Sequence, residues 1–94
     1  MVERLTENEI FSLISSLKGW KVIGNNGILE KSWLFKDFPE AFSFISRVAL
    51  LAERTNHHPE WSNIRNYLTI QLRTHECGGV SRKDIDFAIA IENF

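Results

Sequence analysis

Hydrophobic residues recur with a helical period in three segments of this chain, and they alternate with polar residues in the stretches between. The first helical segment covers residues 6–18, where Thr6 and Glu9 have the spacing of a capping box and Gly19 is a typical end. Its apolar stripe consists of Ile10, Leu13, Ile14 and Leu17. This pattern predicts an amphipathic helix that packs one side on a core.

The first pair of predicted strands covers residues 20–23 and 28–35, on either side of the turn sequence Gly24-Asn25-Asn26-Gly27. In the second of these strands, three large side chains alternate onto one face: Leu29, Trp33 and Phe35. Lys31 falls between them on the same face and is the polar exception.

The second pair covers residues 61–64 and 67–74, with a tight turn at Arg65-Asn66. In the last strand one face is apolar, formed by Leu68, Ile70 and Leu72. If this alternation continues, His75 lies with the polar side chains of the opposite face. Gly78-Gly79 then ends the strand.

The segment between the two pairs predicts a second helix from Asp37 to about Arg54, with Pro39 in its first turn. The helix carries two apolar stripes, one formed by Phe38, Ala41, Phe42, Ile45, Ala49 and Ala52, the other by Phe44, Val48 and Leu51. A helix on the surface of a monomer needs only one stripe. The second stripe indicates either a broad core face or a helix that packs on its own sheet and also on another subunit.

A third helix begins at Ser81, which has Asp84 at capping-box spacing and a hydrophobic staple formed by Val80 and Ile85. The element order is therefore α-β-β-α-β-β-α, in a single domain over residues 1–94. Because hairpins dominate, we expect an α+β fold, in which a four-stranded antiparallel sheet has helices packed on one face.

The composition is that of a small globular protein of 94 residues, 44% of them hydrophobic and 24% charged, with a net charge of −1. This balance argues against direct binding to a nucleic-acid backbone, which requires a basic face. No apolar run approaches the roughly 20 residues that span a bilayer, so no membrane association is expected. The N-terminus lacks the pattern of a signal peptide and the chain has one cysteine, Cys77, which together favour a cytoplasmic location.

All three histidines, His57, His58 and His75, lie within one stretch of the chain. Imidazole titrates near neutral pH and can both accept and donate a proton, so this stretch is a candidate for acid–base catalysis. A zinc or iron site is the rival chemistry, since histidines and a carboxylate are acceptable ligands. Adjacent histidines in an extended segment point to opposite faces, however, which makes it difficult for one ion to bind both.

The spacing of these residues resembles that of the pterin-4a-carbinolamine dehydratases: Glu53, three residues, His57-His58-Pro59, fifteen residues, His75, eight residues, Asp84. The similarity extends over nearly the whole chain. It includes Gly19-Trp20 before the first strand, the Phe-Lys-Asp-Phe sequence at residues 35–38 and the Arg-Val-Ala-Leu sequence at residues 47–50.

This resemblance implies a lyase that dehydrates 4a-hydroxytetrahydrobiopterin to quinonoid dihydrobiopterin and water, in tetrahydrobiopterin recycling. It also implies association into homodimers or homotetramers, and neither a metal nor a bound cofactor. Animal members of the family have a second role as dimerisation cofactors for a homeodomain transcription factor, which would add a nuclear location.

The dehydration needs one proton removed from ring nitrogen N5 and one delivered to the departing 4a hydroxyl, so two imidazoles would suffice. Our hypothesis gives these transfers to His57 and His75 and assigns His58 mainly to binding and orienting the pterin. The sequence leaves open which of the two is the acid. The resemblance adds Glu53 and Asp84 as orienting carboxylates, and Pro59, Thr74 and Glu76 as substrate contacts beside the three histidines.

The chain departs from the family pattern at Arg65, where the family usually carries an aromatic residue six positions after the proline. Tyr67 would share the strand face of that residue but sits across the predicted turn. The sequence leaves open whether Tyr67 substitutes for the missing ring or whether Arg65 reflects a different pterin side chain.

The alternative class of function is a protein-binding module, with the pterin site secondary. The doubly apolar second helix favours self-association and could equally accept a partner helix.

Overall fold

A computed structural model of the chain describes residues 2–25 and 27–94 as one α+β unit. Its elements are α1 (Glu7–Ile14), β1 (Lys21–Ile23), β2 (Ile28–Leu34), α2 (Phe38–Thr55), β3 (Glu60–Ile64), β4 (Tyr67–Leu72) and α3 (Arg82–Glu92), with a 3₁₀-helix at His75–Cys77 before α3. The predicted order is confirmed. Of the predicted turn between β1 and β2, Asn26 lies outside the described residues, as does Met1 of the N-terminal segment.

The four strands form one antiparallel sheet in the order β1-β2-β4-β3, so β1 and β3 are its edges. The register places Leu29 opposite Leu72 and Trp33 opposite Leu68, which gathers the apolar side chains of β2 and β4 on one face. All three helices contribute to the core on this face, whose fully buried side chains include Ile10, Leu29, Val48, Leu68, Ile70, Leu72, Ile85 and Ile91. The other face, here called the open face, is formed by Glu30, Ser32 and Leu34 of β2, Tyr67, Thr69 and Gln71 of β4, and Glu60, Ser62 and Ile64 of β3.

Lys31 lies on the packed face, where it faces Ile70 across the strands. Its Nζ lies 2.7 Å from the carboxylate of Glu92 and 5.1 Å from the ring centre of Trp33. Trp20 Nε1 donates to the same carboxylate at 3.1 Å. The lysine therefore covers the core with its aliphatic stem while its charge is paired.

The first helix begins as predicted but ends four residues earlier, at Ile14. Thr6 and Glu9 form the expected capping box, and the hydrogen bonds from the Thr6 backbone and hydroxyl lower the pKa of Glu9 below its usual value. The residues that follow form turns, in which the hydroxyl of Ser15 donates to the carbonyl of Ser12. Serine side chains compete for backbone groups in this way, which favours a turn over a further turn of helix. The helix therefore ends before the apolar period does.

The second helix draws its buried face from both predicted stripes, so neither stripe alone forms the core face. Its buried residues are Ala41, Ile45, Val48, Leu51 and Ala52. Three large apolar residues instead face solvent, with exposed fractions of 49% for Phe38, 56% for Phe42 and 69% for Leu50. Within the described residues, no helix combines the length and apolar character needed to cross a membrane.

Candidate functional site

The C-terminal end of α2 positions His57. After Thr55, Asn56 adopts the left-handed conformation (φ 52°, ψ 41°), and the backbone N–H groups of Asn56 and His57 both donate to the carbonyl of Ala52. Asparagine enters this region more readily than most residues because its short polar side chain can compensate locally. The turn sends the chain from α2 toward α3, where the His57 ring meets Phe87 edge-on at a centroid distance of 6.1 Å.

Asp84 is fully buried, and its carboxylate accepts three hydrogen bonds. Oδ1 accepts from His57 Nε2 at 2.6 Å, while Oδ2 accepts from the hydroxyl of Thr74 at 2.8 Å and from the backbone N–H of Ser81 at 2.9 Å. Burial of a carboxylate is costly unless donors replace the lost water. One side chain therefore caps α3, as the sequence predicted, and also holds an imidazole.

This contact defines the tautomer of His57. An ionised carboxylate can only accept hydrogen bonds, so Nε2 of His57 carries a hydrogen and donates it. In the neutral ring the lone pair is then on Nδ1, which is the nitrogen able to accept a proton. The side chain is only 13% exposed, so packing holds the ring as well as the hydrogen bond.

The hydroxyls of Thr74 and Ser81 form a buried pair 2.6 Å apart beside Asp84. Because the Thr74 hydroxyl donates its hydrogen to Asp84, the Ser81 hydroxyl is the donor to Thr74. Thr74 was predicted as a substrate contact. Its hydroxyl is engaged with Asp84, so its direct partner is the carboxylate that holds His57.

An open hollow of about 330 Å³ brings the three histidines together. It is lined by Asn56, His57, His58, Arg73, Thr74, His75, Glu76 and Lys83. The predicted residues Glu53 and Pro59 are not among its walls. Glu53 lies close to His58, with Glu53 Oε1 3.8 Å from His58 Nε2, and both side chains are mostly exposed.

His75 reaches the hollow by a route that the sequence did not predict. The strand alternation was expected to continue to His75, but β4 ends at Leu72, Thr74 forms an isolated bridge with Gly79, and His75 begins the 3₁₀-helix. Gly78 closes this turn in the left-handed region, with φ of 70°.

The N-terminal segment covers the same loop. Arg4 donates to the carbonyl of Gly78 at 3.2 Å and to that of Asn25 at 3.1 Å, and the Leu5 N–H donates to the carbonyl of Val80 at 2.8 Å. A methyl group on Gly79 would lie 2.5 Å from Arg4 Nε, so glycine there permits the close approach. The first residues of the chain thus hold the loop that carries His75.

Three residues that line the hollow were not predicted from the sequence: Asn56, Arg73 and Lys83. The only signal for Arg73 was its place on the polar side of the last strand, and Lys83 looked like an ordinary residue of a first helical turn. Tyr67 begins β4 beside the exposed turn residue Arg65 and lies at the opposite end of that strand, six residues or about 20 Å from Arg73. It therefore supplies no ring to the hollow.

The alternative metal site can be compared with the same geometry. Within residues 2–25 and 27–94, no group of three or more histidine, cysteine, aspartate or glutamate side chains is arranged to hold a metal ion. Cys77 points its Sγ toward the carbonyls of Thr74 and Gly79, at 3.6 Å from each.

Comparisons with known proteins agree on one family for this chain. The family model described as pterin 4 alpha carbinolamine dehydratase matches residues 3–94. A protein of Rhodopseudomonas palustris (strain HaA2), named "Putative pterin-4-alpha-carbinolamine dehydratase", is 46% identical over 97% of this chain and 90% of its own. A protein of the same name from Synechococcus sp. (strain WH7803) is also 46% identical, over 98% of this chain and 97% of its own.

Two solved structures share the fold. The crystal structure of a transcriptional coactivator/pterin dehydratase from Brucella melitensis has a TM-score of 0.91 and 39% identity, over 96% of both chains. A pterin dehydratase-like protein identified as a RuBisCO assembly factor in the α-carboxysome has a TM-score of 0.70 and 23% identity, over 82% of this chain and 89% of its own, a similarity that concerns the fold alone. The match over residues 3–94 and the identity to full-length relatives establish that this chain belongs to the pterin-4-alpha-carbinolamine dehydratase family.

Proposed function

We propose that the protein is a hydro-lyase that dehydrates a pterin-4a-carbinolamine, with 4a-hydroxytetrahydrobiopterin as the candidate substrate, in tetrahydrobiopterin recycling in the cytoplasm. The observation that carries this proposal is the buried pair of His57 and Asp84 at the wall of a hollow that His75 also lines. Family membership supports the substrate class, and the name of the Brucella melitensis relative includes the same activity.

The reaction is an elimination without a redox step. The N–H bond at N5 breaks, its electron pair forms a double bond between N5 and C4a, and the C4a–O bond breaks as the hydroxyl takes up a proton and leaves as water. One base and one acid balance all atoms and charges, so no cofactor is required. Positioned acid–base groups of this kind accelerate reactions by about 10²–10⁴-fold.

We assign the base to His57. With Nε2 committed to Asp84, the ring presents a single acceptor nitrogen, and the carboxylate is placed to balance the positive charge that the ring acquires with the proton. Because the carboxylate is buried and has three donors, it is fixed in position before substrate binds.

We assign the acid to His75. It lies on the other loop of the hollow and is exposed, so after each turnover it can regain a proton from water. His58, whose side chain is 60% exposed, has the role of binding and orienting the pterin, with Glu53 beside it. Glu76 lines the same hollow, and Pro59 fixes the path of the chain after the histidine pair.

The test is a stopped-flow absorbance assay on freshly generated carbinolamine, with the spontaneous dehydration subtracted. We expect His57→Ala and His75→Ala each to lower kcat by about 100-fold or more. His58→Ala is the matched control, because it removes the same side chain from the same hollow and is expected mainly to raise KM. If His57→Ala or His75→Ala retains kcat within a few-fold of wild type, that residue has no part in the proton transfers.

We also propose that the protein associates with itself through α2. Phe38 and Phe42 form an exposed apolar stripe on one side of the helix, because they are one turn apart, with ring centres 5.7 Å from each other. Leu50 is also exposed but lies about 80° around the helix from Phe42, outside this stripe. Exposed apolar stripes of this kind are typical of protein interfaces. The same stripe is the surface that a partner helix, including one from a transcription factor, would use.

A further inference from the structure

The histidine hollow adjoins further recesses on the open face of the sheet. His58, Arg73 and His75 line the hollow and also a smaller recess of about 90 Å³, the side-chain recess, whose other walls are Ile28, Glu60 and Gln71. Beyond it lies an outer recess of about 190 Å³, lined by Glu60, Trp61, Ser62, Thr69 and Gln71. Neither recess is used by the proton transfers proposed above.

The strand register gives these recesses a polar floor. Gln71 of β4 lies opposite Glu30 of β2 and Glu60 of β3, which forms an inner row across the open face. An outer row, formed by Ser32, Thr69 and Ser62, lies two residues further along the strands. Two residues of a strand correspond to about 7 Å, which is the separation of the two rows.

The inner row retains hydrogen-bonding groups that a ligand could use. Gln71 Nε2 donates to Glu30 Oε2 at 2.7 Å, which orients the amide and leaves its oxygen as an acceptor. Glu30 also lies 3.6 Å from the ammonium group of Lys21. Across the part of the chain that the structure describes, no side chain forms a hydrogen bond or ion pair with Glu60. Its carboxylate is available to a ligand.

We propose that the side-chain recess binds a hydroxylated substituent at C6 of the pterin, and that Glu60 and Gln71 determine this specificity. The inference rests on the proposed dehydratase function. C6 is bonded directly to N5, the atom that loses its proton, so the first atom of a C6 substituent is two bonds from N5 and the substituent lies close to the proton-transferring histidines. The recess bordered by His58 and His75 is positioned to receive it.

The chemistry of the recess selects the kind of substituent. Hydroxyl groups can donate to the Glu60 carboxylate and to the Gln71 amide oxygen, while the apolar side chain of Ile28 contacts the carbon chain. A purely apolar substituent would displace the water that solvates these polar groups and would not replace the hydrogen bonds of that water. The recess holds the carboxylate of Glu60 beside the guanidinium of Arg73, so these opposite charges offset each other and give no preference for an anionic substituent.

The length of the C6 substituent determines which of the two rows it can reach. A three-bond extension spans about 4 Å, less than the roughly 7 Å between rows. A hydroxylated three-carbon substituent therefore reaches Glu60 and Gln71 but not the outer row. This makes Ser62 a control position on the same strand, outside the reach of the substituent.

The experiment compares two carbinolamines in the stopped-flow assay, one with a 6-methyl group and one with a 6-(1,2-dihydroxypropyl) group. For wild type we expect kcat/KM to be about 10-fold higher for the hydroxylated substrate, the value of one or two added hydrogen bonds. Glu60→Ala should reduce this ratio to within about 2-fold, while Ser62→Ala should preserve it. The ratio is measured within each variant, so any general effect on the chemistry cancels.

The outcomes separate this inference from the function on which it rests. Equal turnover of both substrates by wild type would contradict the proposed binding of the substituent in the side-chain recess, but it would not contradict the dehydratase proposal. A preference that survives Glu60→Ala also overturns the specificity role of Glu60. If wild type accelerates neither substrate, the dehydratase proposal itself fails, and this inference fails with it.

Discussion

At Asp84, one buried carboxylate joins donors from three segments of the chain. His57 follows α2, Thr74 follows β4, and Ser81 begins α3. The spacing of Ser81 and Asp84 predicted the cap, because a capping box is local in sequence. The contact with His57 spans 27 residues and depends on how the end of α2 meets α3, so no local pattern contained it.

Thr74 tests whether the hydroxyl pair positions the imidazole. Thr74→Val keeps the shape but removes the donor to Asp84, so we expect kcat to fall about 10-fold with a smaller change in KM. The free energy of unfolding should fall by about 1–3 kcal/mol, because a buried carboxylate loses a partner. Thr74→Ser restores the hydroxyl and should restore most of both.

The measurement pairs stopped-flow kinetics with ¹⁵N NMR of the His57 ring, which reports directly on which nitrogen carries the hydrogen. If the Thr74 hydroxyl positions the imidazole, the ¹⁵N chemical shifts of the His57 ring should differ in Thr74→Val; a purely structural role would lower stability and leave these shifts unchanged. Wild-type kcat in Thr74→Val would remove the hydroxyl from the positioning network.

At the scale of the elements, the ends of helices and strands decide where the functional side chains lie. The apolar periods predicted three helices and four strands because each period reflects burial on one face. They did not predict that β4 ends at Leu72, since the turn at His75–Cys77 depends on Gly78 and on contacts from Arg4. Arg4 is distant in sequence and carries no signal of this role.

Asn56 provides the test at this scale, because its left-handed conformation turns the chain from α2 into His57. Asn56→Ala should lower the free energy of unfolding by about 1 kcal/mol and reduce kcat, since an alanine resists this conformation and shifts the histidine. Asn56→Gly adopts the conformation freely and serves as the control, with stability within a few tenths of a kcal/mol of wild type. Chemical denaturation and kcat are measured together. Equal stability of the alanine and glycine variants would mean that the turn does not depend on this conformation.

For the molecule as a whole, the stripe on α2 is an apolar surface that the described part of the chain leaves exposed. The sequence shows an excess of apolar residues on this helix, and its period places Phe38 and Phe42 in the same stripe as Ala41 and Ile45, which are buried. The helical period alone cannot say which side of a doubly apolar helix meets the sheet. In the folded protein Ile45, Val48 and Leu51 join the core under the sheet, which fixes the orientation of the helix.

Phe42→Glu tests self-association. A charge on the stripe should shift the proposed wild-type dimer or tetramer to a monomer at micromolar concentration, because an unpaired carboxylate cannot be buried in an apolar interface. Ser43→Glu adds the same charge to the neighbouring exposed position, about 100° around the helix, and should leave the oligomer intact. Light scattering after size-exclusion chromatography gives the masses. A monomeric wild type, or a Phe42→Glu variant of unchanged mass, would exclude this interface.

The contact between Arg4 and Gly78 links positions 74 residues apart, and it closes the loop on which His75 sits. Local folding of either hairpin cannot create such a link, because the two segments meet only when the sheet between them is complete. Fraying of the N-terminal segment would therefore remove contacts that hold the loop of His75. A substitution or truncation in the first few residues is therefore expected to alter the position of His75, to which we assign the acid role.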